Sequence, residues 1–561
     1  MILDLLRKIY YKLPEKYIII FRNIYVSIKL KQHFESPDHF PANYFGKTQH
    51  PILSKSRNEG YFYRLYQEKD TAFALNPEDL FKFKYEIVKG EYIKSNQYSL
   101  NSKENSVYPV SLDKSKSSLT INKGSESEVI LNNIGANRFH YFKVNKGSNL
   151  NLESKSNFVV GNALPLNQKI QHKKKLVLCI FIDGLVDLNL IESEGYKKFM
   201  PNTYEYFKKG IIFKNHYSNA EWTLPSVPTF FTGNRQQGHG FFAPKGHHNI
   251  GETEPILSEI FKINDYLTFQ ANGNWRMSPS YGYTKGFDRT IYKKEMDAFE
   301  IISTFLEHMR TFNKRDNFVW LTFMEAHHLL KYIPDISNQV ENSVAAHKIT
   351  PWYDPDNTKK SVFTSNNSEL IEIYKNEIMR LDYYLKIIYD YISSNYTDNE
   401  VVINLMSDHG QAYVSDDQHP LSVARTKVPW MIRGGEISES ESHEMTENID
   451  IFKSLLKSSD LNFKDYNNES QIPIALGGTC EREYVLSQSI YPGQTYKAVI
   501  RNKNIELKYE STLEVQKNGM IRGELYLKDS KVLHEGSPLE SEIETYNLLV
   551  KTKIDEWNKA I

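Results

Sequence analysis

Three apolar runs in this sequence each end in residues able to bind a metal ion. Residues 176–182 (LVLCIFI) lead into Asp183-Gly184, residues 318–324 (FVWLTFM) into Glu325-Ala326-His327-His328, and residues 401–406 (VVINLM) into Ser407-Asp408-His409-Gly410. Carboxylate oxygens and imidazole nitrogens suit a hard-to-borderline divalent ion, Zn²⁺ or Mn²⁺ ahead of Ca²⁺ or Mg²⁺. Taken singly, Asp-Gly reads as a turn and Asp-His-Gly as the start of a helix. Their joint occurrence at run ends points instead to a metal-dependent centre built from Asp183, Asp408 and His409.

The elements that must carry these residues follow from the same pattern. Short, continuous apolar runs are the mark of strands buried on both faces, as in parallel sheets covered by helices. Between them lie helical patterns, clearest over residues 369–395, where apolar residues recur at three- and four-residue spacing. In such sheets ligands bind beyond the carboxyl ends of the strands, where all three runs deliver Asp, Glu or His. The expectation is an α/β catalytic core over residues 173–480.

On either side the texture changes. Residues 37–172 are rich in Ser, Asn, Lys and Gly. Short alternating runs at 117–121, 128–131, 140–144, 150–152 and 158–160 predict a small β-sandwich or jelly roll. Residues 481–561 predict an antiparallel sheet, with strands at 484–490, 494–501, 505–510 and 513–515, then a closing helix from about 540 to 560. Residues 1–36 form a fourth segment in which apolar and basic residues alternate. Their uncharged stretches fall well short of the roughly 20 residues needed to span a bilayer, and without a long apolar run or a small-residue cleavage site the segment is not expected to be a secretory signal. Two readings stay open for residues 1–34: peripheral contact with an anionic membrane surface, or two short helices broken at Pro14 and packed on the protein.

Composition narrows the function classes. The 561 residues carry 69 basic and 69 acidic side chains, so a nucleic acid, which calls for a basic excess, is not the expected partner. Two cysteines, Cys179 and Cys480, exclude a disulfide framework and a cysteine metal cluster. Cys179 stands inside an apolar run and reads as core.

Residues 221–240 (EWTLPSVPTFFTGNRQQGHG) resemble the nucleophile loop and helix of the sulfatases, in the alkaline phosphatase superfamily. Thr223 takes the nucleophile position, Pro225 and Ser226 match, and Thr232-Gly233 falls at the expected distance. Two departures matter: Thr223 replaces the cysteine or serine that becomes formylglycine, and Val227 replaces the arginine that this conversion requires. Read as Thr-x-x-Ser-Val-Pro, the stretch looks like the threonine nucleophile of phosphoethanolamine transferases and lipoteichoic acid synthases. Residues 181–184, 265–288, 374–382, 406–410 and 427–434 also resemble family segments, so the likeness spans about residues 173–560.

The resemblance implies one divalent ion held by Asp183, Thr223, Asp408 and His409. Coordination would favour the threonine alkoxide, and Thr223 would attack phosphorus in line with the leaving oxygen. His327 matches a family histidine that contacts substrate or acts as general acid, with His328 as the alternative. Trp275 and Arg276 fall where sulfatases grip their anion, although Arg276 reads equally as a salt-bridge partner. His419 is similar to a late histidine of the transferases. Glu325 is a weaker candidate for a second ion, and His239, His247 and His248 receive no role. The implied partners are a phosphate-containing donor and a glycan acceptor, and the activity is transfer of a substituted phosphoryl group, with hydrolysis as the alternative. The expected location is the cytoplasm, at the inner leaflet if residues 1–34 touch the membrane.

Overall fold

The structure is a computed structural model. It describes residues 37–40, 59–66, 83–113, 118–123, 126–131, 138–244, 250–251, 254–327, 365–464, 466, 468–533 and 539–561. Residues 1–34, His247, His248 and His328 lie outside the described residues. The chain divides into two compact units, one comprising residues 1–167, 275–284 and 288–294, the other residues 168–274, 285–287 and 295–561.

The larger unit is built on a mostly parallel sheet. Its strands are β1 (Leu176–Ile182), β2 (Ile211–Tyr217), β3 (Leu267–Asn272), β4 (Asn317–Phe323), β5 (Val401–Met406), β6 (Trp430–Arg433) and β7 (Ser440–Glu447), in the spatial order β3-β4-β1-β5-β6-β2-β7. β1 runs parallel to both β4 and β5, and β3 runs parallel to β4. β6 alone is antiparallel to its neighbours. β1, β3, β4 and β5 are buried along their whole length, which is why they read as continuous apolar runs rather than alternating ones.

Two helices matter most for the site. Helix α1 (Thr223–Thr232) ends at Gly233, whose φ of 67° is the left-handed conformation that closes a helix without strain only at glycine. Helix α2 (Ser368–Asn395) starts where Asn367 Oδ1 accepts from Leu370 N at 3.0 Å. It buries Tyr374, Ile378, Leu381, Leu385, Ile388 and Ile392, the three- and four-residue rhythm seen in the sequence.

Later in the chain comes a second, antiparallel sheet of four strands, Val485–Ser489, Thr495–Arg501, Ile505–Glu514 and Leu525–Val532, followed by the helix Leu539–Ala560. Two departures from expectation occur here. The runs 505–510 and 513–515 fall on one strand, Ile505–Glu514, with Val515 just beyond its end and a register shift between Lys508 and Tyr509. Leu525–Val532 had no sequence signal, because as an exposed edge strand it lacks a continuous apolar run.

The strand pairs described in the smaller unit are antiparallel. Gln97–Asn101, Asn149–Ser154, Leu119–Lys123 and Glu126–Leu131 form one sheet. Ser106–Leu112 and Phe158–Gly161 belong to another, and Val110, Leu112, Leu119, Ile121, Leu150, Leu152 and Phe158 bury a shared core.

Candidate active site

The carboxyl ends of β1, β4 and β5 and the first residue of α1 bring Asp183, His327, Asp408, His409 and Thr223 together. Parallel neighbours end at the same edge, and register places Ile182 opposite Phe323 and Phe181 opposite Met406. The residues just beyond are therefore adjacent. Asp183, Asp408, His409 and Thr223 are all buried.

The atoms converge closely. Thr223 Oγ1 lies 3.3 Å from His409 Nε2 and 3.5 Å from Asp183 Oδ2. His409 Nε2 lies 3.4 Å from Asp183 Oδ1 and 3.6 Å from Asp408 Oδ2. Asp183, His327 and His409 each offer a ligand atom within 4.8 Å of the others, and the rings of His327 and His409 are 5.6 Å apart.

Two observations show that these residues fit a cation. Asp183 Oδ1 and Asp408 Oδ2 are buried and accept no hydrogen bond among the described residues. A buried carboxylate oxygen left so is costly unless a positive charge completes it. His409 Nδ1 is 2.9 Å from the Gly410 carbonyl, to which it can only donate, so in the neutral ring the Nε2 lone pair faces both carboxylates. Burial holds the His409 imidazole below its ordinary range. Burial, then the Asp408 charge, pushes Asp183 well above the usual carboxylate range. A neutral imidazole and two carboxylates pointing at one another repel in the absence of a cation and become ligands in its presence.

The remaining carboxylate oxygens are taken up by the protein. Asn274 Nδ2 donates to Asp183 Oδ2 at 2.6 Å. The backbone N–H groups of Gly184 and His409 donate to Asp408 Oδ1 at 3.2 and 3.0 Å. The nucleophile loop is braced by Ser226 Oγ, which donates to the Trp222 carbonyl at 2.8 Å. Ser218 Oγ lies within hydrogen-bond reach of the Ala220 and Asp408 carbonyls, either of which can take its one hydrogen.

Arg425 is a participant that the sequence did not reveal. It is fully buried, and its guanidinium donates to the Glu221 carbonyl, two residues before Thr223. Burial pulls its pKa down to about 10 against the opposing pull of Glu221 and Asp408. Asn274 was also missed, although it precedes the Trp275-Arg276 pair that drew attention.

The other expected residues stand as follows. His419 lies on the loop after β5, where its Nδ1 accepts from Leu421 N at 3.2 Å and burial lowers its pKa to about 4. Arg276 and Trp275 belong to the smaller unit, where Arg276 pairs with Asp38 at 2.5 Å and Trp275 lies under Lys294. Both Glu325 oxygens accept backbone N–H groups, those of Ala298 and Met324, which occupies the side chain structurally. Val227, at the position of the formylglycine-directing arginine, is buried in α1.

A mostly parallel sheet with acids and imidazoles at its carboxyl edge is the architecture of the alkaline phosphatase superfamily. The sulfatase family model matches residues 175–461, and the chain belongs to that family of enzymes. Sulfatase-like enzymes use a divalent metal, for which Asp183, His327 and His409 form a possible site here.

Two solved structures, each at a TM-score of 0.50, agree in fold, and a third is similar at a lower score. A protein from the glycosaminoglycan-metabolism locus of Bacteroides thetaiotaomicron is 14% identical, with a TM-score of 0.50 over 69% of this chain and 97% of its own. A phosphonate monoester hydrolase from Silicibacter pomeroyi is 12% identical, with a TM-score of 0.50 over 69% and 96%. A protein of the alkaline phosphatase superfamily from Vibrio parahaemolyticus is 15% identical over 70% and 90%, with a TM-score of 0.46. No curated protein matches the sequence.

Proposed function

We propose that the chain is a phosphotransferase that moves a substituted phosphoryl group, of the phosphoethanolamine or phosphoglycerol kind, to a glycan or glycolipid through a covalent adduct on Thr223. The observation that carries this reading is the placement of the Thr223 hydroxyl 3.3 Å from His409 and 3.5 Å from Asp183. Threonine offers a hydroxyl nucleophile and cannot become formylglycine, so the sulfatase route of ester cleavage does not apply to it.

When bound, a divalent ion would be held by Asp183, Asp408, His409 and Thr223, with His327, which lies close enough to join them, kept instead for the leaving oxygen, and it would supply the positive charge that favours the threonine alkoxide. The residues do the rest. Thr223 Oγ1 forms a bond to phosphorus as the bond to the leaving oxygen breaks, and His327 supplies the proton to that oxygen. In the second step the acceptor hydroxyl attacks, its proton returns to His327, and the bond from phosphorus to Thr223 breaks. Arg425 adds a buried positive charge behind the nucleophile loop. His419 is proposed as a substrate contact, and residues 1–34 as the segment that meets a membrane carrying the glycolipid.

Intact mass of the protein after brief reaction with a phosphodiester donor tests the covalent step, through a mass gain lost in Thr223→Ala. Product analysis with and without an acceptor glycan separates transfer from release to water. Release unaffected by acceptor would make the enzyme a phosphodiesterase.

A further inference from the structure

Beyond the ligands themselves, the buried carboxamide of Gln411 joins the loops that carry them. Its Nε2 donates to the Ala326 carbonyl at 2.9 Å and to the Gly184 carbonyl at 3.2 Å, which uses both of its hydrogens. Gln411 itself sits two residues after His409. One side chain therefore ties together the turn after Asp183, the turn before His327 and the Asp408-His409 loop.

The approach is close enough to dictate a neighbour. Gly184 has φ of +75°, and a Cβ there would fall 2.4 Å from Gln411 Nε2 and 3.3 Å from both the Ala326 carbonyl oxygen and the His327 Cα. Tyr374 Oη donates to the same Gly184 carbonyl at 3.1 Å and accepts from Val186 N at 3.0 Å, so the Asp183 turn is held from α2 as well. In the turn before it, His327 N donates to the Met324 carbonyl at 3.0 Å. Fixing the Ala326 carbonyl fixes the plane of the peptide that leads into His327, and with it the direction in which the imidazole leaves the backbone.

We propose that Gln411 is a positioning residue that sets the distance of His327 from Asp183 and His409 during turnover. The proposal rests on the reading of His327 as the group that handles the leaving oxygen. A shift of about 1 Å in such a group costs on the order of 100-fold in rate.

The test is a double-mutant cycle with bis(4-nitrophenyl) phosphate and the metal-loaded enzyme, using Gln411→Ala, Gln411→Glu, His327→Ala and the combinations. Gln411→Glu fills the same volume without donor hydrogens, which separates hydrogen bonding from packing. Expected is a loss in kcat of about 10- to 100-fold for each Gln411 variant, at nearly constant KM and metal content, shrinking to less than about 3-fold in the His327→Ala background. Equal losses in both backgrounds, or none, overturn the proposal. A His327→Ala enzyme with unchanged kcat defeats the reading of His327 instead, and is recognised from that single variant. Independently of turnover, ¹⁵N-histidine spectra should show the His327 ring signals moving in Gln411→Ala while those of His409 stay in place. Unmoved His327 signals would also overturn the proposal.

Discussion

Two clusters of buried charge in the larger unit have similar composition and opposite character. In the first, Arg235, Glu447, Asp450 and Arg482 lie together. Glu447 accepts from Leu486 N, Asn219 and Arg235, and Asp450 accepts from Gln471 N, Glu447 N and Arg482. All four carboxylate oxygens are answered by the protein. In the second, Asp183 and Asp408 face His409, and one oxygen of each carboxylate accepts nothing among the described residues. A folded chain can neutralise its buried acids, and the first cluster shows this one doing so. The second is left open at the edge where ligands enter a parallel sheet. Completed pairs hold a fold together, whereas incomplete ones store binding capacity for something the chain does not itself provide.

The sharpest way to break this contrast is at the nucleophile. Thr223→Ala should lower turnover by on the order of 10⁴-fold or more while metal content stays close to that of the wild type. Thr223→Ser should keep measurable activity, because it preserves the hydroxyl. Steady-state kinetics with metal analysis by mass spectrometry checks both. Full activity in Thr223→Ala would mean that water attacks without a covalent step.

Next in size is damage to the completed cluster. Glu447→Gln removes one of the two carboxylates that pair with Arg235, leaving Glu469, and should cost about 1.5–3 kcal/mol of stability, measured by denaturant unfolding. Metal content per folded molecule should not change, since Glu447 is not among the residues at the open site. Equal loss of metal in this variant would merge the two clusters into one system and end the comparison.

Asp408→Asn should do the reverse. It removes one of two repelling carboxylates, so the chelator-treated variant should melt at least as high as chelator-treated wild type. The metal-induced rise in melting temperature seen for wild type should disappear. Each kcal/mol corresponds to about 2–4 °C for a domain of 150–250 residues and to less for a larger one, a shift that calorimetry with and without chelator resolves.

The smallest effect is in pH. The folded pKa of Asp183 is raised above its unfolded value by burial and by Asp408. In chelator-treated protein its contribution to stability is therefore fully present below the ordinary carboxylate value and is lost as pH rises through the raised one. Asp183→Asn should flatten that slope. In the metal-loaded protein the dependence inverts, because protons compete with the metal for the carboxylate. Melting curves across pH for both forms check the sign.

Much of this arrangement was legible along the chain. The apolar runs before Asp183, Glu325 and Ser407 announced buried strands, and acids and histidines directly after them announced where a site would form. The helical rhythm of residues 369–395 survived intact as α2. What escaped notice has a common cause: Arg425 on a single helical turn, and Asn274 and Gln411 in irregular segments, each act on residues 85 to 227 positions away, as Gln411 does on Ala326 and Gly184. No local pattern records a partner at such separation. The edge strand Leu525–Val532 escaped for a different reason, since an exposed strand needs no apolar run.

The sequence by itself determined the kinds of atom at the site and their place at strand ends, because burial of whole strands demands apolar runs and their ends must carry what meets solvent or ligand. Only the tertiary structure decided which oxygens of Asp183 and Asp408 the protein satisfies and which it leaves open, and which nitrogen of His409 faces them. Those choices depend on donors brought in from distant segments, and hydrogen bonds of short reach are settled by the packing of the sheet and not by the order of residues along it.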